Sequence, residues 1–502
     1  MSYENQICEL YFLLHKNNIN EIGSRLTLLL RSLKTGFRYT DISPYLKTLY
    51  ILIGHVRDIY FGHGERDIAY MMIYVWYKFY PVLAIYAFHQ FVVGDSPYGC
   101  WNDIKYFCKF IARISDKGIY DPLIDIAVSC ANLQLLSDFS VVNCNGGVSN
   151  LSKWIPRENK IEWLFEKLVV DWFSCHDVLH KDLYFSHQKK MYRQMIVRIC
   201  KHCVNDKLTI KNIFQSVSKG NGKSIVIDKY DKSNDGRFSY FHDNVFIGTY
   251  IKTAVSIINS NCSDIDTSVE AIWLNHKWCQ MVASFFDNKC CGGIPVIDIS
   301  ADLSDESLYH AIGFACLIAI KSRLFRILLV SNKPIWIEFT NTDSICSIVN
   351  KIWPFCTYKS GSQFSFSFNF LMDALSKNNV DTSVKLFIFS QRFLFDWNKM
   401  VNMFGNNWSF VFWNIGQEMP EYMKKDFYID DHKKILFVSG CNVALFSKFC
   451  DDKIYIDGSY EFLLASLHSD RYKALANYFD YQMASASPSI VSGNSSCISS
   501  SI

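Results

Sequence analysis

Long apolar runs are missing from this chain. The best candidates are interrupted or bounded by Lys78, His89 and Lys321, so none supplies the roughly 20 residues a bilayer-crossing helix needs. A secretory leader is not expected either. The chain opens Met1-Ser-Tyr-Glu-Asn-Gln, with an acid and amides where a leader carries basic residues and then an apolar stretch. Its 18 cysteines follow no framework spacing, and without an export signal they read as buried, reduced thiols. A cytoplasmic protein with no membrane association is expected. The net charge of +3 is small, so global charge does not announce a nucleic-acid binder. No Ser/His/Asp or Cys/His order stands out, and no carboxylates pair in a cleft-forming pattern. The expectation is therefore a protein that is not an enzyme.

Apolar residues make up 50% of the 502 and aromatics 16%, enough for two or three ordinary cores. The frequent Asn, Lys, Ile and Tyr fit an AT-rich genome. From Ile7 to about His202 the pattern is helical: Leu26 to Leu33, Ile68 to Val75 and Leu123 to Leu136 place apolar residues at three- and four-residue steps. Helices paired through Gly- or Pro-bearing turns suggest a HEAT-like α-solenoid, without a clean sequence repeat. Residues 207–248 are richer in Lys, Asn, Asp and Gly and read as an exposed excursion.

A different grammar begins near Glu270. Strands are expected at Gly293 to Ser300, Phe325 to Ser331, Ile335 to Phe339, Val384 to Ser390, Trp408 to Asn414 and Lys434 to Ser439. Helices are expected at Leu308 to Ile320 and Phe370 to Leu375. Continuous apolar strands alternating with helices imply a parallel sheet covered on both faces. The expected class is α + α/β, with a helical domain over 1–260, a doubly wound α/β domain over 261–481 and a disordered Ser-rich tail over 482–502.

Within the second domain, Asp298-Ile-Ser300-Ala-Asp302 follows a strand and precedes a helix. This resembles the first loop of the metal-ion-dependent adhesion site of von Willebrand A domains, Asp-x-Ser-x-Ser. Ligands gather beyond the C-terminal strand ends of such sheets, and hard cations such as Mg²⁺ favour oxygen donors there. The other loops depart from that family. Ser367-Phe368-Asn369-Phe370 puts Phe368 where a Thr ligand belongs, and Gln391 stands where an Asp belongs. The resemblance implies a vestigial site at Asp298, Ser300 and Asp302. No cofactor is expected, the one cation left open being Mg²⁺ displaced between Asp298 and Asp302.

In the N-terminal half, Arg57-Asp58, Gly62-His-Gly64-Glu65-Arg66-Asp67, Tyr98-Gly-Cys-Trp101-Asn-Asp103 and Lys153-Trp154-Ile-Pro156 occur in order. Together with the A-like segment, the series resembles a family of unknown function from plants, fungi and large DNA viruses. That family is similar to the TROVE module of the Ro ribonucleoprotein, a ring of HEAT-like helices closed by a von Willebrand A domain. The likeness spans most of residues 50–450, with His63 in place of the family's usual Lys. It implies RNA binding by the ring, and a viral source.

Four segments invite sharper readings. The Gly62/Gly64 segment is read as a tight turn into a helix, because Glu65 and Asp67 would repel phosphate. Gly220-Asn-Gly222-Lys223-Ser224 ends like a phosphate loop, but Val217 stands where the first Gly belongs. His176, His180, Cys200 and Cys203 offer zinc-type ligands with only one Cys-x-x-Cys. Lys181, Lys189, Lys190, Arg193, Arg198, Lys201, Lys207 and Lys211 form a basic run interleaved with Tyr184, Phe185 and Tyr192. Such cations suit phosphates and exposed rings suit single-stranded bases; a solvated helix face over a buried aromatic stripe is the alternative. The leading expectation is an RNA-binding ribonucleoprotein scaffold. The alternative is a protein-interaction adaptor working through the A-like domain.

Overall fold

A computed structural model of the chain describes residues 2–14, 18–35, 39–94, 96–142, 148–176, 180, 182–203, 247–260, 266, 268–283, 293–299, 305–330, 335–356, 385–390, 409–415, 435–439 and 459–486. The excursion up to 246, the helix expected at Phe370 to Leu375 and the tail beyond 486 lie outside the described residues.

Among the described residues ten α-helices come first: α1 (Tyr3–Phe12), α2 (Ile19–Thr35), α3 (Tyr39–Arg57), α4 (Arg66–Phe79), α5 (Pro81–Val92), α6 (Asn102–Ile114), α7 (Pro122–Val142), α8 (Leu151–Trp154), α9 (Glu162–Cys175) and α10 (Phe185–His202). Their starts follow local chemistry. The Ser2 hydroxyl accepts from the Asn5 N–H at the head of α1, satisfying one of the donors a helix start leaves over. Pro81 sits at the start of α5, where its missing N–H costs nothing. The expected periodicity becomes burial: Ile22, Leu26, Leu29, Leu30 and Leu33 line the inner face of α2. No strand occurs before α10 among the described residues.

After α11 (Ile247–Asn259) and α12 (Val269–Ala283), the chain alternates: β1 (Gly293–Asp298), α13 (Asp305–Lys321), β2 (Arg326–Val330), β3 (Ile335–Glu338), α14 (Ile345–Cys356), β4 (Lys385–Ser390), β5 (Ser409–Asn414) and β6 (Ile435–Ser439). The sheet order is β3-β2-β1-β4-β5-β6. All neighbours pair in parallel except β2 and β3, which are antiparallel. This corrects the expectation of a wholly parallel sheet. Only residues 331–334 separate β2 from β3, and a parallel crossover needs a dozen or more.

Both sheet faces are buried, against different neighbours. Ile297, Phe389, Val411 and Trp413 pack into one core with α11 to α14. Val296, Val330, Ile388 and Phe412, on the opposite face, belong to the same apolar cluster as the N-terminal helices. The last two helices, α15 (Ser459–Leu467) and α16 (Lys473–Ala486), return to that cluster through Leu463, Leu467, Leu475 and Phe479.

The cores therefore divide differently from the expected boundary at 260/261. Ile247 and Gly248, expected in the excursion, are buried at the head of α11, which crosses α13 closely. A Cβ on Gly248 would lie 2.8 Å from the His310 ring, and one on Gly313 would lie 2.8 Å from the Ile247 side chain. Two glycines permit the backbones to meet there. Likewise α16 runs to Ala486, past the expected start of the tail at 482.

Candidate nucleic-acid interface and switch-point site

The central part of the basic run becomes α10. Gln188, Tyr192, Met195 and Ile199 face inward at helical spacing, and the Tyr192 hydroxyl donates to Asn132 Oδ1 (2.8 Å). Tyr192 is thus a core residue, with no face to offer a base. Lys190, Arg193, Gln194, Val197, Arg198 and Lys201 line a shallow outward concavity. Two of the run's cations are already paired. Lys189 Nζ meets Glu166 (2.6 Å) and Glu158 (3.0 Å), bonds that raise its pKa, and Arg193 also binds Glu158. Arg198 lies over the Phe139 ring at 5.6 Å. Lys190 and Lys201 are exposed. Tyr184, ahead of the helix, is 83% exposed, and Phe185 packs under Lys189 at 4.8 Å. Lys181, Lys207 and Lys211 lie outside the described residues.

The first three of the four ordered motifs of the N-terminal half converge. Arg57 donates to Asp103 from Nε (2.9 Å) and Nη2 (2.6 Å), with both residues buried. The Tyr70 hydroxyl and the Cys100 N–H also donate to this carboxylate. Burial alone would raise the pKa of Asp103, but Arg57 and these donors hold it below the usual value. Asp58 accepts from Arg471 Nε and Nη2, each at 2.9 Å, and from the Tyr472 hydroxyl (3.0 Å). His63 is buried against Tyr11 and His55 at ring distances of 5.2 and 5.3 Å. Burial, with His55 beside it, pushes its pKa well below 6.5. Between these residues runs the turn read from the glycines. Gly64 has φ +71°, and the N–H groups of Gly62, His63 and Gly64 bond to Asp58 and His55 carbonyls, so they are spent internally. These motifs build an internal polar frame.

A second surface was not singled out by sequence. On α6, Ile104, Phe107, Cys108 and Ile111 point inward, while Tyr106, Lys109 and Arg113 are exposed and Lys105 is half-buried. Arg66 lies 4.4 Å from the Tyr106 ring centroid, and Lys105 lies 4.8 Å from it and 5.6 Å from that of Trp154. Arg66 and Trp154 come from two of the ordered motifs. The available signal was Lys105, Lys109 and Arg113 at four-residue steps, diluted by apolar residues between them.

In the sheet, β1 to β3 step outward to one side and β4 to β6 to the other, so the chain reverses between β1 and β4. Three buried polar residues end the strands there: Asp298, Ser390 and Asn414. Ser390 pairs in register with Asn414, and the Ser390 hydroxyl donates to Asp298 Oδ2 (2.8 Å). This partner of Asp298 comes from the neighbouring strand β4. Oxygen donors at a switch point suit a hard cation in kind, but these three supply a single carboxylate. Ser300, Asp302, Phe368 and Gln391 lie outside the described residues, as does the 217–224 loop.

The zinc-type residues do not assemble. The His180 carbonyl accepts from the Gln188 side chain in the first turn of α10 (3.1 Å), whereas Cys200 and Cys203 stand at the far end of that helix; from Gln188 to Cys200 the rise is about 18 Å. Cys203 instead contacts Ser152 Oγ (3.1 Å). Among the described residues no group of three or more His, Cys, Asp or Glu could hold a metal, and no helix is long and apolar enough to cross a membrane.

No family model matches the chain, and a search of curated proteins finds no match. The fold is of α + α/β class, a largely helical N-terminal region followed by a mixed sheet with helices.

Proposed function

We propose that this chain is a non-enzymatic RNA-binding protein, a ribonucleoprotein scaffold in which HEAT-like helices present the RNA surface and a von Willebrand A-like domain braces them. The observation that carries the reading is the outward row of cations on α10, Lys190, Arg193, Arg198 and Lys201, beside one shallow concavity. Phosphate contacts dominate affinity for nucleic acid, and they need accessible cations on a rigid element. Support for the A-like reading comes from the 3-2-1-4-5-6 order with an antiparallel third strand and from Asp298 at the switch point. With Phe368 and Gln391 in the ligand positions, the loops lack the charge that Mg²⁺ binding of the usual kind requires.

Lys190→Glu with Lys201→Glu tests the function, because neither residue pairs with an acid among the described residues, unlike Lys189 and Arg193. Retention on single-stranded RNA should fall, and the slope of log affinity against log salt should become shallower by about 1.4 if two phosphate contacts are lost. The melting temperature should not change. Unchanged retention by the well-folded variant would reject RNA binding by α10. The second reading, an adaptor binding a protein partner at the sheet, would then be preferred, on the buried polar strand ends Asp298, Ser390 and Asn414.

A further inference from the structure

We infer that the outward strip of α6, together with Arg66 and Trp154, is a stacking platform for the bases of single-stranded RNA; this rests on the RNA-binding reading and assigns the bases a place of their own. Three observations carry it. The first is charge. Lys105, Lys109 and Arg113 recur every four residues, a rise of about 6 Å per step, which sets a row of cations along the helix. The only acid on α6 is Asp103; it is fully buried and bound by Arg57, so it does not oppose an incoming anion. None of the three cations makes an ion pair among the described residues, whereas α10 spends two of its own on Glu158 and Glu166.

The second observation is the alternation of cations and rings. Arg66, Tyr106, Lys105 and Trp154 follow one another across α4, α6 and α8, with separations of 4.4, 4.8 and 5.6 Å. Each cation faces a ring and orients it, while Tyr106 remains 38% and Trp154 42% exposed. A ring held in place with its surface open is what a base stacks on at low entropic cost. Single exposed aromatics are ordinary; two rings joined through one lysine, with further cations beside them, form an organised surface.

Continuity is the third. Helix α8 touches both α6 and α10, and Ser152 of α8 contacts Cys203 at the end of α10. A strand whose phosphates lie on the α10 row therefore reaches Trp154 by crossing one short helix. Paired bases hide their faces inside a duplex, so this platform selects single strands.

The test is anisotropy of a labelled oligouridine against the full chain, with Tyr106→Leu/Trp154→Leu and Lys190→Glu/Lys201→Glu as separate variants. Leu keeps helix propensity at Tyr106, and melting curves check both folds. Losing two stacked bases should weaken binding at least 10-fold without changing the salt slope, since no charge is removed. An abasic oligomer should bind the wild type and the aromatic variant equally, and an RNA duplex should bind more weakly than oligouridine. Independently of any variant, 4-thiouridine crosslinks on the wild type should map to residues 102–114 and 151–157. If the aromatic variant binds oligouridine like the wild type, or crosslinks avoid both segments while the α10 variant loses binding, the platform is overturned and RNA binding by α10 stands. If the wild type binds no RNA, both fall.

Discussion

At the scale of single residues, two buried carboxylates sit in contrasting surroundings. Asp103 collects Arg57, Tyr70 and a backbone N–H, so its charge is compensated and its role is to hold three segments together. Asp298 ends β1 with Ser390 donating to it across the strand pair. Its position at a strand end before a helix was legible in the sequence, because an apolar run stops at it. Its partner was not, since Ser390 lies 92 residues further on and only the pairing of β1 with β4 brings them together. We expect titration calorimetry of the metal-stripped protein with Mg²⁺ to show no micromolar binding. Micromolar binding by the wild type that disappears in Asp298→Asn would establish a working metal site and refute the vestigial reading.

Elements decide where the molecule senses acid. His310 lies on the buried face of α13, and its Nδ1 accepts the Gly248 N–H of α11 at 3.1 Å. Burial lowers its pKa from 6.5 to about 4, against an opposing influence of Glu306. Folding therefore favours the neutral ring, and the unfolded chain binds the proton more tightly. Stability from this residue is complete above pH 6.5 and declines as pH falls toward 4, by roughly 3 kcal/mol at the limit. Urea unfolding followed between pH 7 and 4 should show the decline, and His310→Gln, which keeps an acceptor without a proton to gain in this range, should flatten it. An equally steep profile in the variant would remove His310 as the cause. The helix α13 itself was plain from its apolar run. Its crossing with α11 was not, because the glycines at 248 and 313 acquire meaning only when two helices distant in sequence approach.

For the whole molecule, the decisive feature is the return of the C-terminal end to the N-terminal helices. Arg471 binds Asp58 through two nitrogens and donates to the carbonyls of Ser96 and Pro97 (2.7 and 2.8 Å). Tyr472 reaches both Asp58 and His55, Tyr478 stacks on Tyr86 at 3.6 Å, and Lys47 pairs with Asp480. Asp58 is fully buried, so Arg471→Ala leaves a charge without its cation and should cost about 3–5 kcal/mol. Chemical unfolding checks this. A loss below about 1 kcal/mol, the range of a surface pair, would show that the clasp does not bind the two ends together.

Local pattern determined the helices up to 202, the six strands and the change of grammar between them, because burial on one side of a helix or both sides of a strand imposes its period on the sequence. The antiparallel β3 follows from the short 331–334 connection, whereas tertiary structure alone decided the membership of α11 in the sheet's core and the return of α15 and α16. It also decided which cations face solvent unpaired. Lys189 and Arg193 look the same as Lys190 in sequence, yet Glu158 and Glu166, 23 to 35 residues away, take the first two, while the third has no acid partner among the described residues. Pairings at such separations depend on how helices pack, and no local period encodes them.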